Sequence, residues 1–396
     1  MVFRCGDRRL EAWFVQRVTM RELEYYRGRE QTYIKHFFLE RYLEKVAYHI
    51  GWVAKDFVYV DGFSGPWRAE HESYDDTSFM IAIQALRRVA SGLAERDRRP
   101  RMRCLFIERD PKAYDELRRA VEGISDIEVR TLCGSFEEQI PKIVDFVDNK
   151  FALTFVDPTG WTGFGLRNIQ PLLQGRGEVI INFMFDHINR FLGSQTGTES
   201  SFDDLFGGPG WESAVAPGPR REQRIIDFYA SRLKELGNFK HVTSTRVLKP
   251  TSDRSYFYLV YGTNHPKGIL EFREVERKAV SEQERVRPDA KQTARVERTG
   301  QPELFVASDT DEDVSFHEEQ EQRRDEAVAR LRSLLASRKS IPYEDARSQV
   351  LEIPLVWEGV FKDIVHEFAD RGEAKLLNME PRQRRVGKGV TIAATQ

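Results

Sequence analysis

The stretch FVYVDGFSGPW, residues 57–67, is an apolar run that ends in an acid and continues into a turn rich in glycine. Residues 57–60 have the length and composition of a buried strand, with Asp61 at its carboxyl end. In open α/β sheets, ligands bind in the crevice beyond the carboxyl ends of the strands. Gly62 and Gly65 permit close backbone approach there. An acid beside them suits a hydroxyl-rich or cationic ligand better than a phosphate, and the GK[ST] of a P-loop is missing.

Further β-rich runs follow at 103–107, 127–132, 151–156 and 178–185. A helical pattern at 78–90 lies between the first run, 57–60, and the second, and another at 111–123 lies between the second and the third. This alternation implies right-handed βαβ units and a parallel sheet. We therefore expect a Rossmann-like α/β domain over 51–280, after a helical lead-in over 1–50. Another helix is expected at 221–237 and a strand at 242–248. Residues 256–262 and 269–276 suggest a hairpin around the turn-like TNHPKG, so the sheet is expected to end in antiparallel strands.

The remainder of the chain divides by composition. Residues 281–322 are charged and poor in apolar side chains, which predicts a linker that cannot bury enough surface to order itself. Residues 323–396 show helical patterns at 326–338, 341–352 and 354–372, then two short strands at 374–379 and 390–395. Three helices and a β-hairpin are the order of a winged helix-turn-helix domain.

Charge and cysteine usage narrow the class of protein. The 61 basic and 63 acidic residues nearly cancel, so any contact with nucleic acid must come from a local patch. The three cysteines have no C-x-x-C spacing, which argues against a disulfide framework or a structural zinc site, and no His/Cys cluster has metal-ligand spacing. No apolar stretch approaches membrane-spanning length. We expect a soluble cytoplasmic protein without a metal.

Polar residues also follow the next strands. Glu108 ends the second strand and is placed to accept hydrogen bonds from the hydroxyls of a ribose. It lies 47 positions after Asp61, against roughly 20 in a dinucleotide fingerprint, which disfavours a nicotinamide-dependent reductase, as does the missing G-x-G-x-x-G. Gly134 and Ser135 end the third strand and could bracket an adenine edge.

These motifs, together with Asp157 and Pro158 after the fourth strand, resemble the successive motifs of class I S-adenosylmethionine-dependent methyltransferases. More narrowly, six segments resemble the three-Cys-motif partner protein family, which is methyltransferase-like and ends in a winged-helix domain: KHFFLERYL (35–43), YVDGFSGP (59–66), FIERD (106–110), FVDPTG (155–160), IINF (180–183) and YFYLVYGTNHPKG (256–268). The resemblance implies S-adenosylmethionine as cofactor. The residues expected to bind it are Asp61, Gly62, Phe63, Ser64, Gly65, Glu108, Gly134, Ser135 and Phe136.

The residues after the fourth strand predict the chemistry. Amino-directed methyltransferases carry D/N-P-P-Y/F/W, in which the acid or amide holds the target nitrogen and the ring stacks on a flipped base. Here the string is D-P-T-G-W, so Asp157 and Pro158 match, whereas Trp161 lies one position late. Transfer to an exocyclic amine is the hypothesis, and a helix cap at Asp157 is the alternative.

Further polar residues are expected at the same site. Asn182 ends the fifth strand and, with Asp157, Pro158 and Trp161, is expected to be catalytic. Lys35 resembles a family position and joins that set, although alone it reads as part of a solvated helix face. Asp186, Asn189 and Arg190 either line the acceptor pocket or serve as ordinary caps.

The predicted wing EPRQRRVGKG (380–389) carries Arg382, Arg384, Arg385 and Lys388. Because the helix before it is acidic, the wing is the better candidate for phosphate contacts; a solvated basic turn or a protein-docking surface is the alternative. The sequence thus predicts a methyltransferase that acts on nucleic acid, DNA or RNA. The rival hypothesis is a catalytically silent methyltransferase-like scaffold that binds a protein encoded nearby.

Overall fold

The computed structural model describes residues 23–65, 74–191, 199–299, 310–379 and 386–395. A 3₁₀ helix, Leu23–Tyr26, comes first. The elements of the first part are α1 (Glu30–Val53), β1 (Asp56–Asp61), α2 (Ser78–Ala94), β2 (Arg101–Glu108), α3 (Pro111–Val121), β3 (Glu128–Cys133), α4 (Phe136–Val147), β4 (Ala152–Val156), α5 (Gln170–Leu173), β5 (Gly177–Phe183), α6 (Phe185–Phe191), α7 (Glu199–Phe206), α8 (Glu212–Val215), α9 (Arg221–Leu236), β6 (His241–Leu248), β7 (Ser255–Thr263) and α10 (Pro266–Thr299). Those of the second part are α11 (Thr310–Arg338), β8 (Ser340–Pro342), α12 (Tyr343–Val350), α13 (Glu358–Asp370), β9 (Ala374–Leu377) and β10 (Thr391–Ala394).

Seven strands form one sheet in the order β3-β2-β1-β4-β5-β7-β6. The first five run parallel, whereas β7 is antiparallel to both β5 and β6. The expected Rossmann-like α/β sheet that ends in antiparallel strands is therefore confirmed. Since the order reverses between β1 and β4, the carboxyl ends of these two strands form the switch point at which ligands bind in such sheets.

Strand β1 is buried along its whole length, which shows that both faces of the sheet are covered there. Phe57 and Tyr59 point into a core that α1 and α2 close, and Val58 and Val60 point into a second core with α4 and α9. Helix α1 carries a row of apolar residues spaced four apart, Ile34, Phe38, Tyr42 and Val46, and all four are buried. This row fixes α1 against the sheet and brings the start of the helix to the switch point.

The predicted hairpin between 256–262 and 269–276 is wrong. Strand β7 pairs with β6 instead, and residues 269–276 belong to α10. Ile269, Phe272 and Val275 are fully buried and lie three residues apart, the spacing of one helix face. This run is helical because its apolar residues are buried with a helical period, and its leucine, arginine and three glutamates also favour a helix.

The charged segment 281–322 is also more ordered than expected, since α10 continues to Thr299 and α11 begins at Thr310. Val286 and Ala290 are buried. The Gln283 carboxamide accepts a hydrogen bond from the backbone N–H of Leu248 at 2.9 Å. The helix is therefore stabilised by covering the outer edge of β6, a tertiary contact that composition does not show.

The second part has its own core and a three-stranded antiparallel sheet in the order β8-β10-β9. The helix predicted at 341–352 begins only at Tyr343, because Ile341 and Pro342 pair with β10. Arg273 of α10 joins the two parts: it donates to the backbone oxygens of Leu351 at 2.7 Å and Glu352 at 3.1 Å. Across the described ranges, no helix is long and apolar enough to cross a membrane.

Candidate active site

The turn after β1 is held by Asp61. Its carboxylate accepts hydrogen bonds from the backbone N–H of Phe63 at 3.0 Å and from the Ser78 hydroxyl at 2.7 Å. Ser64 donates through its hydroxyl to the Asp61 backbone oxygen and through its N–H to Ile107. Asp61 and Ser64 are fully buried. The side chains of Asp61 and Ser64 therefore hold the turn in shape, and their role in cofactor binding stays a prediction.

Gly62 and Phe63 continue the same turn. The Gly62 N–H donates to the Phe155 backbone oxygen at 3.0 Å, and a Cβ on Gly62 would lie 2.8 Å from the Phe136 ring. Phe63 packs on Phe136 with their centroids 5.7 Å apart. The turn thus crosses the ends of the central strands directly above an aromatic core, and Phe136 belongs to that core.

The pKa of Asp61 is raised to about 6, chiefly because the carboxyl is buried. The hydrogen bonds from Ser78 and Phe63 lower this pKa, whereas the nearby charge of Asp157 raises it. A carboxyl whose folded pKa lies above its unfolded value of 3.8 stabilises the fold while it is protonated, and loses that contribution as the pH rises through about 6.

We expect Asp61→Asn to remove this loss. The stability of the variant relative to wild type should grow between about pH 4 and 7, by at most about 3 kcal/mol, since each pKa unit corresponds to about 1.4 kcal/mol. Urea unfolding over that pH range measures it. Asp126→Asn is the control: the hydrogen bond from Arg87 lowers the pKa of Asp126 below its unfolded value of 3.8, so this variant should differ from wild type by a nearly constant amount between about pH 5 and 7. A difference for Asp61→Asn that stays constant with pH would contradict the assignment.

The ends of β2 and β3 lie beside this turn. Glu108 is buried, and its Oε1 accepts a hydrogen bond from the Asp110 N–H at 2.6 Å. Burial raises the pKa of Glu108, whereas hydrogen bonds from the N–H groups of Asp110 and Arg109 lower it.

The end of β3 is joined to the end of β2, because the Gly134 N–H donates to the Glu108 backbone oxygen at 3.0 Å. A Cβ on Gly134, whose φ is +136°, would lie 2.4 Å from Gln139 Nε2, so only glycine fits there. Ser135 caps α4 through its hydroxyl.

Three of the predicted catalytic residues meet at the ends of β4 and β5. The Lys35 ammonium lies 2.5 Å from Asp157 Oδ2, and the Asn182 amide nitrogen lies 2.5 Å from Asp157 Oδ1. The side chains of Lys35 and Asp157 are each 13% exposed. Asn182 Oδ1 is buried and has no hydrogen-bond partner among the described residues. Lys35, Asp157 and Asn182 form one cluster, which we call the acidic triad site.

Trp161 lies with a second group of side chains. Its ring is 5.2 Å from His187 and 4.3 Å from Phe191, and it is nearly parallel to Phe202 at 6.0 Å. Its Nε1 is buried and lacks a hydrogen-bond partner within the described ranges. The loop after β4 and helix α6 after β5 therefore join through aromatic rings, next to the strand ends that carry Asp157 and Asn182.

The remaining predicted residues are less informative. Pro158 is buried directly after Asp157, and Gly65 is half-buried at the last described position before residue 66. Lys388 is exposed, whereas Arg382, Arg384 and Arg385 lie outside the described residues. Asp186 pairs with Lys249 at 2.7 Å.

Sequence reasoning missed several residues of this region. Ser78 donates to Asp61, and its position directly after the helix cap Thr77 was a usable signal. His187, Phe191 and Phe202 carried no signal, because their contacts with Trp161 exist only in the folded chain. In the described parts of the chain, no group of three or more His, Cys, Asp or Glu residues is arranged to hold a metal ion.

Neither a protein-family model nor a curated protein matches the chain. Solved structures do. A Legionella pneumophila protein of family DUF519 is 13% identical over 62% of this chain and 88% of its own, with a TM-score of 0.36. An O-methyltransferase from Bacillus cereus in complex with SAH is 12% identical over 57% and 80%, with a TM-score of 0.28. A loganic acid methyltransferase with SAH is 9% identical over 65% and 84%, with a TM-score of 0.30.

At these identities and TM-scores, the likeness carries no argument about substrate or reaction. The narrower resemblance to three-Cys-motif partner proteins stays a prediction.

Proposed function

We propose that the protein is an S-adenosylmethionine-dependent methyltransferase that acts on nucleic acid, at an exocyclic base amine. The observation that carries this proposal is the acidic triad site, in which Asp157 and Asn182 meet at the carboxyl ends of adjacent strands beside the switch point of the sheet. Polar side chains that converge there belong where an α/β sheet binds its ligands.

The donors and acceptors at this edge suit both reactants. Glu108 and the turn 62–65 lie over β1 and β2, where a carboxylate and close backbone approach fit ribose hydroxyls. When bound, S-adenosylmethionine supplies an electrophilic methyl group on a sulfonium. The orphaned Asn182 Oδ1 is an acceptor that needs a donor, and an amine offers one.

The triad then positions the acceptor. Asn182 holds the Asp157 carboxylate in one orientation, and Lys35 compensates its charge. An incoming amine donates to Asn182 Oδ1 and Asp157, which aims the nitrogen lone pair and gives the released proton a nearby carboxylate. Trp161 and its neighbouring rings offer an apolar, aromatic wall for a planar base.

The element order of residues 310–395 supports a winged-helix domain as the second part, with the basic wing as a further phosphate contact. The direct test of the whole proposal is calorimetric titration with S-adenosylmethionine, followed by incubation with DNA and RNA and mass spectrometry of the nucleosides. Cofactor binding without methylated nucleosides would favour the silent scaffold, and no cofactor binding would refute both.

Glu108→Ala should weaken S-adenosylmethionine binding by about 1 to 3 kcal/mol, or roughly 5- to 150-fold, because a hydrogen bond to a charged group is lost. Titration calorimetry measures it. Glu122→Ala, which removes an exposed acid at the C-terminal cap of α3, is the matched control. If Glu108→Ala and Glu122→Ala bind S-adenosylmethionine equally well and both are folded, Glu108 is not part of the cofactor site.

A further inference from the structure

Three arginines lie at the start of α9, and two of them are held by oxygens of the protein itself. The Arg221 guanidinium donates to the Val215 backbone oxygen at 2.6 Å and to the Asn189 carboxamide. The Arg224 guanidinium donates to the backbone oxygens of Pro219 and Ala216. Arg220 is exposed. We call Arg220, Arg221 and Arg224 the arginine cluster.

The charge of this cluster is uncompensated. Within the described residues, none of the three guanidinium groups has a carboxylate oxygen within 4.0 Å, whereas Arg87, Arg88 and Arg103 each pair with one. The acid between them, Glu222, accepts hydrogen bonds from Ser255 and Tyr258 instead. A protein of net charge −2 therefore concentrates three positive charges on one short segment.

The guanidinium groups are also oriented. An arginine carries five N–H donors, of which Arg221 and Arg224 each use two on neutral oxygens. Three N–H donors of each guanidinium therefore remain for the oxygens of a phosphate, which accept charge-assisted hydrogen bonds from arginine. Because the protein's own oxygens already hold these side chains, little side-chain entropy is lost on binding.

Helix α6 connects the cluster to the acidic triad site. It begins two residues after Phe183, the end of the strand that carries Asn182. His187 contacts Trp161 at 5.2 Å, and two residues further on Asn189 contacts Arg221. One short helix therefore touches both the loop of Asp157 and the arginine cluster.

We infer that the arginine cluster binds the phosphate backbone of the nucleic acid whose base enters the acidic triad site. This inference rests on the proposed function for the class of acceptor. The contacts position the strand without reading its sequence. Each phosphate neutralised releases condensed counterions, so the contribution of the cluster depends on salt.

The test compares two triple variants of equal charge. In the cluster variant Arg220, Arg221 and Arg224 become Gln, and in the control variant the exposed Arg118, Arg119 and Arg130, on α3 and the opposite edge strand β3, become Gln. Fluorescence anisotropy with labelled random-sequence RNA, single-stranded DNA and duplex DNA is measured over a salt series. The slope of log Kd against log salt should become shallower by about 2 to 3 in the cluster variant alone.

A third variant with Lys at the same three positions guards against misfolding, because it keeps the charge and should restore most of the slope. Equal slopes in the cluster and control variants would overturn the inference. So would a wild-type protein that binds none of the three probes at low salt, which would direct the cluster to an acidic protein partner. Calorimetry with S-adenosylmethionine is read separately: if the cofactor does not bind while the slope changes, the methyltransferase proposal fails and the phosphate surface stands.

Discussion

Asp157→Ala is expected to lower kcat for methyl transfer by about 10²- to 10⁴-fold, while S-adenosylmethionine affinity changes little. The carboxylate lies between Lys35 and Asn182. Under the proposed function it orients the acceptor amine, and the loss of a positioned acid or base costs a factor in this range. Single-turnover kinetics on the identified nucleic acid measure the rate, and calorimetry measures the cofactor affinity. Asp126→Ala, which removes a surface carboxylate paired with Arg87, is the matched control.

A purely structural ion pair would behave differently. Replacing Asp157 alone leaves the mostly buried Lys35 ammonium without this partner, so some stability is lost in either case. The double variant Lys35→Met/Asp157→Leu should regain stability, as judged by thermal unfolding, yet remain inactive. Full activity in Asp157→Ala, or in the double variant, would reduce Asp157 to a structural residue.

Arg273→Met should destabilise the fold by about 3 to 5 kcal/mol, the cost of leaving one partner of a buried ion pair alone. Arg273 and Glu276 are fully buried 2.6 Å apart. Burial lowers the pKa of Arg273 and raises that of Glu276, with each partner opposing the shift of the other. The guanidinium donates further to the backbone oxygens of Ser244, Leu351 and Glu352, and to the Thr243 hydroxyl.

Urea unfolding at neutral pH measures this effect. Arg277→Met, one turn further along α10 and paired with Glu274 at the surface, should change stability by less than about 0.5 kcal/mol. Arg273→Met/Glu276→Leu should recover much of the loss, because a well-packed apolar pair of similar volume often replaces a buried ion pair without cost. A loss below about 1 kcal/mol for Arg273→Met would show that water reaches this pair and that it does not hold the second part to the sheet.

The sequence by itself determined the parallel strands and the residues at their carboxyl ends. Asp61, Glu108, Asp157 and Asn182 could be placed at one edge because each ends an apolar run, and parallel strands that alternate with helices direct those ends the same way. Burial patterns within one element are local, so a short stretch of sequence carries them.

The contacts that these strand-end residues make depend on the tertiary structure. The Lys35 ammonium reaches Asp157 across 122 positions because α1 packs its apolar row on the sheet, and no local pattern records that crossing. The direction of a side chain at a strand end is also not readable from the local sequence. The Asp61 carboxylate accepts a hydrogen bond from Ser78, and the Glu108 carboxylate accepts one from the backbone N–H of Asp110. Residues 269–299 lie in one helix because their buried side chains, among them Phe272, Val275 and Val286, recur with a helical period and pack in the core beside the sheet, a contact that composition alone does not show.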